Sequence, residues 1–270
     1  MENPRLTRFL VGSGRIEPAD DGWRMILPPA SHYADAQLDD THGRPRGSLP
    51  HRPPLRLTLE ARASSTTPGG TLGFGFWNDP FPAWGGEGGA RRRLPASPQA
   101  LWFFHSSPPS HIPFARSGPE SGWTAATFKG PRLPGVLVAA VGAGGLVGLT
   151  LAPFRPLLLS IYWRLFAGEQ SRPLEGLGDW HRYEIHWGIE SVRFLVDEQV
   201  VLETRVVPRP PLGLVIWIDN QWASLSTSGA GFGVVASAAP AWLEVRRLRI
   251  DGVRLGTVHD AAERPSPTPE

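Results

Sequence analysis

The sequence predicts an all-β sandwich of two antiparallel sheets with a short helical insertion. Short apolar runs are separated by turn residues along most of the chain, which contains 31 glycines and 29 prolines. With 270 residues, of which 41% are hydrophobic, the chain can bury one large core. Several runs alternate apolar and polar residues, which is typical of strands with one face in water.

Six strands are predicted in the first half of the chain. In 55–63 every second residue is apolar, and the residues between them are charged or carry a hydroxyl. The glycines of 71–79 allow a backbone or a ligand to approach closely. The six predicted ranges are 23–27, 33–38, 55–63, 71–79, 99–106 and 122–128.

An apolar and helical insertion is predicted at about 133–170. Residues 133–154 carry no charge and are long enough for a transmembrane helix, but five glycines favour two short buried strands joined by a turn. Residues 153–170 begin with prolines and reach Gly168, which is typical of a helix. Its apolar residues recur at helical spacing and form one stripe: Phe154, Leu157, Leu158, Ile161, Tyr162, Leu165 and Phe166. We expect this helix to pack on the sandwich. The alternatives are a lid over an apolar cleft and a peripheral contact with a membrane.

Strands return after residue 180. The ranges 180–187 and 212–220 are predicted strands, and 191–207 is predicted to be a hairpin that turns at Asp197-Glu198. In the last strand, 242–251, the pair Arg246-Arg247 interrupts the alternation as a β-bulge does. Residues 258–270 have the composition of a disordered tail, so residues 1–257 are predicted to form a single domain.

Composition excludes several function classes. The chain has no cysteine, which excludes disulfides, thiolate catalysis and cysteine-ligated zinc. The net charge is only +2, and the run Arg91-Arg92-Arg93 lies in a glycine-rich loop, so we expect no nucleic-acid partner. No cofactor and no metal site are predicted. The N-terminal apolar run is too short for a secretory signal, which favours a cytoplasmic protein, membrane-associated only if 153–170 contacts a membrane.

Several segments carry a family resemblance. WHRYEIHW (180–187), FLVD (194–197) and the last strand WLEVRRLRID follow one another in the second half, and LTLEARA and FGFWND occur in the first. This pattern resembles the concanavalin A-like lectin/glucanase superfamily, and within it the family-sixteen glycoside hydrolases. The resemblance covers about 55–105 and 180–251. It implies a jelly-roll sandwich whose concave sheet carries the ligand cleft.

The chain departs from that family at two places. Glu198 stands where the family usually has a turn glycine. The family also carries a Glu-x-Asp-x-x-Glu type of motif on the strand after the FW segment, whereas here that strand reads QALWFFHS and has no carboxylate. Because retaining glycoside cleavage needs two carboxyl groups, we do not expect glycosidase activity from this strand.

Polar and aromatic residues on the strands expected at the concave face are the candidate site. The candidate catalytic residues are Asp79, Asp219 and His105. The candidate ligand-binding residues are Phe76, Trp77, Trp102, Phe104, Trp217, Asn220, Gln221 and Trp222. Each also has a structural interpretation, since tryptophans are often buried in cores, aspartates cap turns and a histidine can bond to backbone.

Two functions compete for this site. Aromatic walls would exclude water and keep an aspartic acid protonated, so that it could protonate an alkene while the rings stabilise the cation. This predicts a lipid or isoprenoid-like ligand with acid-catalysed isomerisation, hydration or cyclisation. The alternative is a lectin-like module that binds a saccharide without catalysis, by ring stacking and hydrogen bonds. A scaffold without a small ligand is the third interpretation.

Overall fold

The structure is a computed structural model that describes residues 6–80, 94–111, 114–116, 118–139, 152–226 and 229–252. These residues form two seven-stranded antiparallel sheets and a separate hairpin. The front sheet runs in the spatial order β1 (Thr7–Val11), β4 (Asp35–Asp39), β13 (Gly213–Asp219), β6 (Thr71–Trp77), β7 (Gln99–Ser106), β8 (Gly122–Lys129) and β9 (Ala167–Gln170). The back sheet runs in the order β12 (Gln199–Thr204), β11 (Val192–Val196), β10 (His181–Trp187), β5 (Leu55–Ala63), β16 (Ala241–Gly252), β3 (Gly22–Leu27) and β2 (Arg15–Ala19). The hairpin pairs β14 (Gln221–Ser226) with β15 (Gly229–Val234).

The predicted jelly-roll sandwich is confirmed, and its core lies between the two sheets. Large rings from both sheets meet there and are almost completely buried. The ring of Phe103 lies 4.9 Å from that of Tyr183 and 5.4 Å from that of Phe194, measured between centroids. Such aromatic contacts add to the stabilisation that burial of apolar area supplies.

Local features of the predicted strands are also confirmed. The odd-numbered positions of β5 are buried and the even-numbered ones are partly exposed, as the alternation predicts. The hairpin between β11 and β12 turns at Asp197 and Glu198, whose φ angles of 46° and 69° place both in the left-handed region. Glu198 therefore adopts a conformation that glycine would adopt at lower cost. In β16 the register shifts between Arg246 and Arg249, which is the predicted bulge.

Three strands lie outside the predicted ranges: β1, β2 and β15. Strand β14 begins within DNQW, where no strand was predicted. Residues 135–139 form a short helix, α1, and not the predicted strand. The helix predicted over 153–170 is present as the shorter α2 (Arg155–Leu165), whereas the predicted last residues form strand β9 (Ala167–Gln170) at the edge of the front sheet. The expectations for 140–151, for the arginine run 91–93 and for the tail 258–270 lie outside the described residues. No helix of the described part of the chain is both long and apolar enough to cross a bilayer.

Arginines on the outer surface of the back sheet surround buried glutamates. Glu184 is 2% exposed by side chain and forms ion pairs with Arg56, Arg182 and His186. Burial alone would raise the pKa of Glu184, but hydrogen bonds from His186 and Arg56 and the nearby arginine charges lower it. The arginines that contact Glu184 are thus paired within the fold.

Candidate functional site

The outer face of the front sheet, which points away from the core, carries an aromatic cluster. Strand alternation sends every second side chain of the front sheet to this face. Its rings come from four strands and a neighbouring loop: Trp77, Trp102, Phe104, Phe114, Phe128 and Trp217. The ring of Trp102 is central, with centroids 5.4 Å from Trp217 and 5.5 Å from Phe104.

Other parts of the same chain cover this aromatic cluster. Phe114, from the loop before β8, contacts Phe104 at a centroid distance of 4.9 Å. Phe166, next to the end of α2, stacks on Phe128 at 5.4 Å. Trp102 and Trp217 are each only 8% exposed as a result. The predicted aromatic face therefore exists, but side chains of the chain itself already fill it.

Two glycines in β6 allow the rings to lie flat on the sheet. A Cβ atom at Gly73 would lie 2.7 Å from the indole of Trp217, and one at Gly75 would lie 2.5 Å from the backbone of Trp102. Either contact is too short for real atoms, so a larger residue would push the ring or the neighbouring strand away. The pattern GFGFW is thus explained by close approach of side chain and backbone.

A pair of carboxyl groups, Asp35 and Asp219, lies at one end of the same face. The two residues are directly opposite on the neighbouring strands β4 and β13, which places their Cβ atoms about 5 Å apart. The hydroxyl of Thr71 donates to Asp219 Oδ1 at 2.9 Å, and the indole N–H of Trp217 donates to that hydroxyl oxygen at 3.0 Å. The aromatic cluster and the carboxyl pair are therefore one connected structure.

Burial shifts both carboxyl groups toward the protonated form, and the charge of Asp219 adds to the shift of Asp35. Burial raises the pKa of Asp219 to about 6, against hydrogen bonds from Gln221 and Thr71 that lower it. Burial and the negative charge of Asp219 raise the pKa of Asp35 well above its ordinary value, although Tyr33 donates a hydrogen bond to it. Two neighbouring acids of this kind titrate as a pair, since ionisation of one makes ionisation of the other more costly.

One carboxyl oxygen of Asp35, Oδ1, has no hydrogen-bond partner among the described residues. Asp35 is 5% exposed, and this oxygen is buried. Buried polar atoms nearly always have a partner, so an orphan acceptor is a marker of function or of an absent bound molecule. Gln37, on the same face of β4, donates to Asp39 Oδ2 at 3.0 Å and continues the polar surface beside the pair.

Sequence reasoning missed Asp35, Thr71 and Gln37, although a signal was available. The segment DAQLD (35–39) alternates polar and apolar residues, and its apolar residues Ala36 and Leu38 face the core. The polar residues Asp35, Gln37 and Asp39 all lie on the opposite face of this strand, which indicates a face that binds a ligand. The prediction treated 33–38 only as an entry strand.

Two predicted site residues are on the wrong face of the sheet. Phe76 lies in the core, where its ring is 5.8 Å from that of Trp187. His105 also points to the core side, and its Nε2 atom pairs with the carbonyl of Pro68 at 2.9 Å. Adjacent strand residues point to opposite faces, so Phe76 could not join Trp77, nor His105 join Phe104. Burial lowers the pKa of His105, which keeps it neutral in a structural role.

Asp79 lies at the end of the face opposite to Asp219. Thr71, at the start of β6, pairs with Asp219, whereas Asp79 follows the end of that strand. Its φ angle of 48° lies in the left-handed region, and its backbone carbonyl accepts a hydrogen bond from Arg46 Nε at 2.8 Å. The strand between them spans about 20 Å, so the two predicted catalytic aspartates do not form one site.

The three residues that follow β13, Asn220, Gln221 and Trp222, lie in different environments and do not form one site. Asn220 is buried and structural, since its side chain accepts from the N–H of Ala34 at 2.8 Å and donates to the carbonyl of His32 at 2.8 Å. This bonding fixes the backbone next to Asp35. Gln221 is exposed and donates its backbone N–H to Asp219, and Trp222 lies in β14 over the glycines of the hairpin.

Comparisons with known proteins find a likeness in solved structures. No family model and no curated protein sequence matches the chain. A family 16 glycoside hydrolase from a mixed-linkage glucan locus of Bacteroides ovatus matches over 93% of this chain and 96% of its own, with 8% identity and a TM-score of 0.49. A legume lectin-like domain from Entamoeba histolytica matches over 92% and 90%, with 11% identity and a TM-score of 0.47.

A sialidase also matches over 92% of this chain, with 10% identity and a TM-score of 0.41, but this chain spans only 17% of that protein. Lectin-like domains and glycoside hydrolases are thus among the solved structures with which the chain aligns. The likeness is one of fold. The jelly-roll class itself rests on the two sheets.

Proposed function

We propose that the chain binds a saccharide on the outer face of the front sheet, at the end where Asp35 and Asp219 meet. The observation that carries this proposal is the buried and unpartnered Oδ1 atom of Asp35, beside a second carboxyl group that is partly exposed. Sugar hydroxyls are donors and would satisfy such an acceptor. Gln37 and the exposed end of the Asp219 side chain would supply further hydrogen bonds.

A saccharide ligand is consistent with the lectin-like and glycoside hydrolase structures with which the chain aligns. The proposal itself rests on the carboxyl pair. We propose binding and no bond cleavage. The sequence places no carboxylate on β7, and the predicted catalytic set of Asp79, Asp219 and His105 is spread over two ends and two faces of the sheet.

Replacement of Asp219 by asparagine is expected to weaken saccharide binding by roughly ten- to a hundredfold, because a hydrogen bond to a charged group is replaced by a neutral one. Affinity electrophoresis on gels that contain soluble neutral glucans first identifies the glucan that retards the protein most. Titration calorimetry with an oligosaccharide from that glucan then measures the affinity of both proteins.

The matched control is the Asp179→Asn variant, whose side chain is exposed in the loop before β10, a strand of the back sheet. It should bind like the unchanged protein. Failure of the unchanged protein to be retarded by any glucan would refute the proposal. So would equal binding by the Asp219→Asn variant.

A lipophilic ligand is the second candidate function, and one observation favours it. The helix α2 exposes an apolar stripe, with Phe154 at 52%, Leu157 at 58% and Leu165 at 48% exposure, while Tyr162 and Phe166 pack on the aromatic cluster. A ligand on that cluster would have to displace those two rings. Native mass spectrometry of the purified protein separates the two candidates, since a co-purified lipid supports this one and a co-purified saccharide supports the first.

A further inference from the structure

A cleft with three arginines opens at the end of the sandwich where β6 ends and β7 begins. It has a volume of about 490 Å³, which is within the range of small-molecule sites. Its walls come from four segments: Arg46 and Gly47, Asn78 and Ala96 to Gln99, Pro131 to Pro134, and Arg209 to Pro211. None of the described residues that line it is acidic.

Two of the three guanidinium groups are held in place by backbone carbonyls. Arg46 donates to the carbonyl of Asp79 from Nε at 2.8 Å and to that of Leu94 from Nη1 at 2.6 Å. Arg209 donates from Nη2 to the carbonyl of Gly130 at 2.5 Å, and its own backbone N–H donates to Gln99 Oε1 at 3.0 Å. The carbonyl of Gly130 orients the guanidinium group of Arg209, which forms no ion pair with a described residue.

The third arginine of the cleft adds charge. Arg132 is exposed and forms no ion pair with a described residue. Arg132 and Arg209 both line the cleft, and burial of Arg209 together with the positive charge of Arg132 lowers the pKa of Arg209. Two positive charges in one cleft repel each other and do not stabilise the fold. An anion bound between Arg132 and Arg209 would remove that repulsion.

A neutral donor completes the lining. Ser97 is 9% exposed, and its Oγ atom is buried without a hydrogen-bond partner in the described structure. The hydroxyl faces Gly130, where a Cβ atom would lie only 2.3 Å from it. An unpaired hydroxyl beside planar guanidinium groups is the donor set that binds oxygen anions.

We propose that this cleft binds the oxyanion of a small organic ligand, a carboxylate, sulfate or phosphate group, through Arg132, Arg209 and Ser97. The cleft has room for the anionic group and for the rest of a molecule the size of one sugar acid. The site is separate from the carboxyl pair, because it adjoins the end of β6 whereas Asp219 pairs with the start of that strand. It does not depend on the proposed saccharide function.

Titration calorimetry at constant ionic strength tests the proposal with three probes: inorganic phosphate, glucuronate and glucose. Glucuronate and glucose differ at one carbon, where the former has a carboxylate. We expect phosphate and glucuronate to bind and glucose not to bind in this cleft. The Arg132→Gln variant should bind both anions about tenfold more weakly, because a charge-assisted contact is lost. It should fold normally, since Arg132 is exposed.

Two further variants identify the site. The Arg205→Gln variant removes an exposed arginine near Arg209 in sequence and should bind the anions like the unchanged protein. The Asp219→Asn variant should also bind them normally. The proposal is wrong if neither anion binds, if the Arg132→Gln variant binds equally well, or if either control variant loses as much affinity.

Discussion

The Phe103→Ala variant should unfold with a free energy lower by about 3–5 kcal/mol. Phe103 is fully buried between the sheets, and its ring contacts those of Trp123, Tyr183 and Phe194 at centroid distances of 5.8, 4.9 and 5.4 Å. Truncation removes this apolar contact and leaves a cavity that neighbours on both sheets can only partly fill. Denaturant unfolding followed by tryptophan fluorescence measures the change.

Phe232 is the matched control for this substitution. It has the same side chain but lies in the hairpin strand β15, where it is 85% exposed. The Phe232→Ala variant should change the free energy of unfolding by less than about 0.5 kcal/mol. Equal losses in the two variants would contradict the position of the core between the sheets.

The Asp219→Asn variant should be more stable than the unchanged protein at neutral pH, by about 1–3 kcal/mol. The pKa of the Asp219 carboxyl group is raised to about 6 in the folded protein, so the folded state binds a proton more tightly than the unfolded state does. Stability from this group is complete below about pH 4 and is lost as the pH rises through about 6. The asparagine amide keeps the acceptor oxygen for Thr71 and removes the charge that repels Asp35.

Urea unfolding at pH 4.0 and at pH 7.5 checks this prediction. The difference in stability between the Asp219→Asn variant and the unchanged protein should be near zero at pH 4.0 and favour the variant at pH 7.5. The Asp179→Asn variant should show no such pH dependence. A variant that is less stable at pH 7.5 would mean that the carboxylate is needed for folding. A more stable variant that fails to bind saccharide would instead identify Asp219 as a residue kept for function at the expense of stability.

Most of the fold could be predicted because strand alternation is a local property. In β5 the buried and exposed positions follow directly from the order of residues, and the turn at Asp197-Glu198 follows from the chain reversing between two apolar runs. Strands β1 and β15 were missed because their residues are only half-buried or are rich in glycine, so they show no clear period. Pairing with a neighbour, and not local sequence, makes them strands.

The candidate site could be predicted only in part. The aromatic residues of the outer face could be named from sequence, but the residues that cover them could not. Phe114 lies in the loop between β7 and β8 and Phe166 follows α2, and only the fold brings both rings onto the cluster. The separation of His105 from Phe104 was already contained in the alternation of β7 and should have been predicted.

The sequence by itself determined the sandwich, its turns and the absence of a carboxylate on β7, because these depend on periodicity and on which residue types are present. Only the tertiary structure decided which side chains form a site. Asp35 and Asp219 are separated by most of the chain, and they become neighbours because β4 pairs with β13. Their raised pKa values follow from that pairing and from burial, and a sequence contains neither of these quantities.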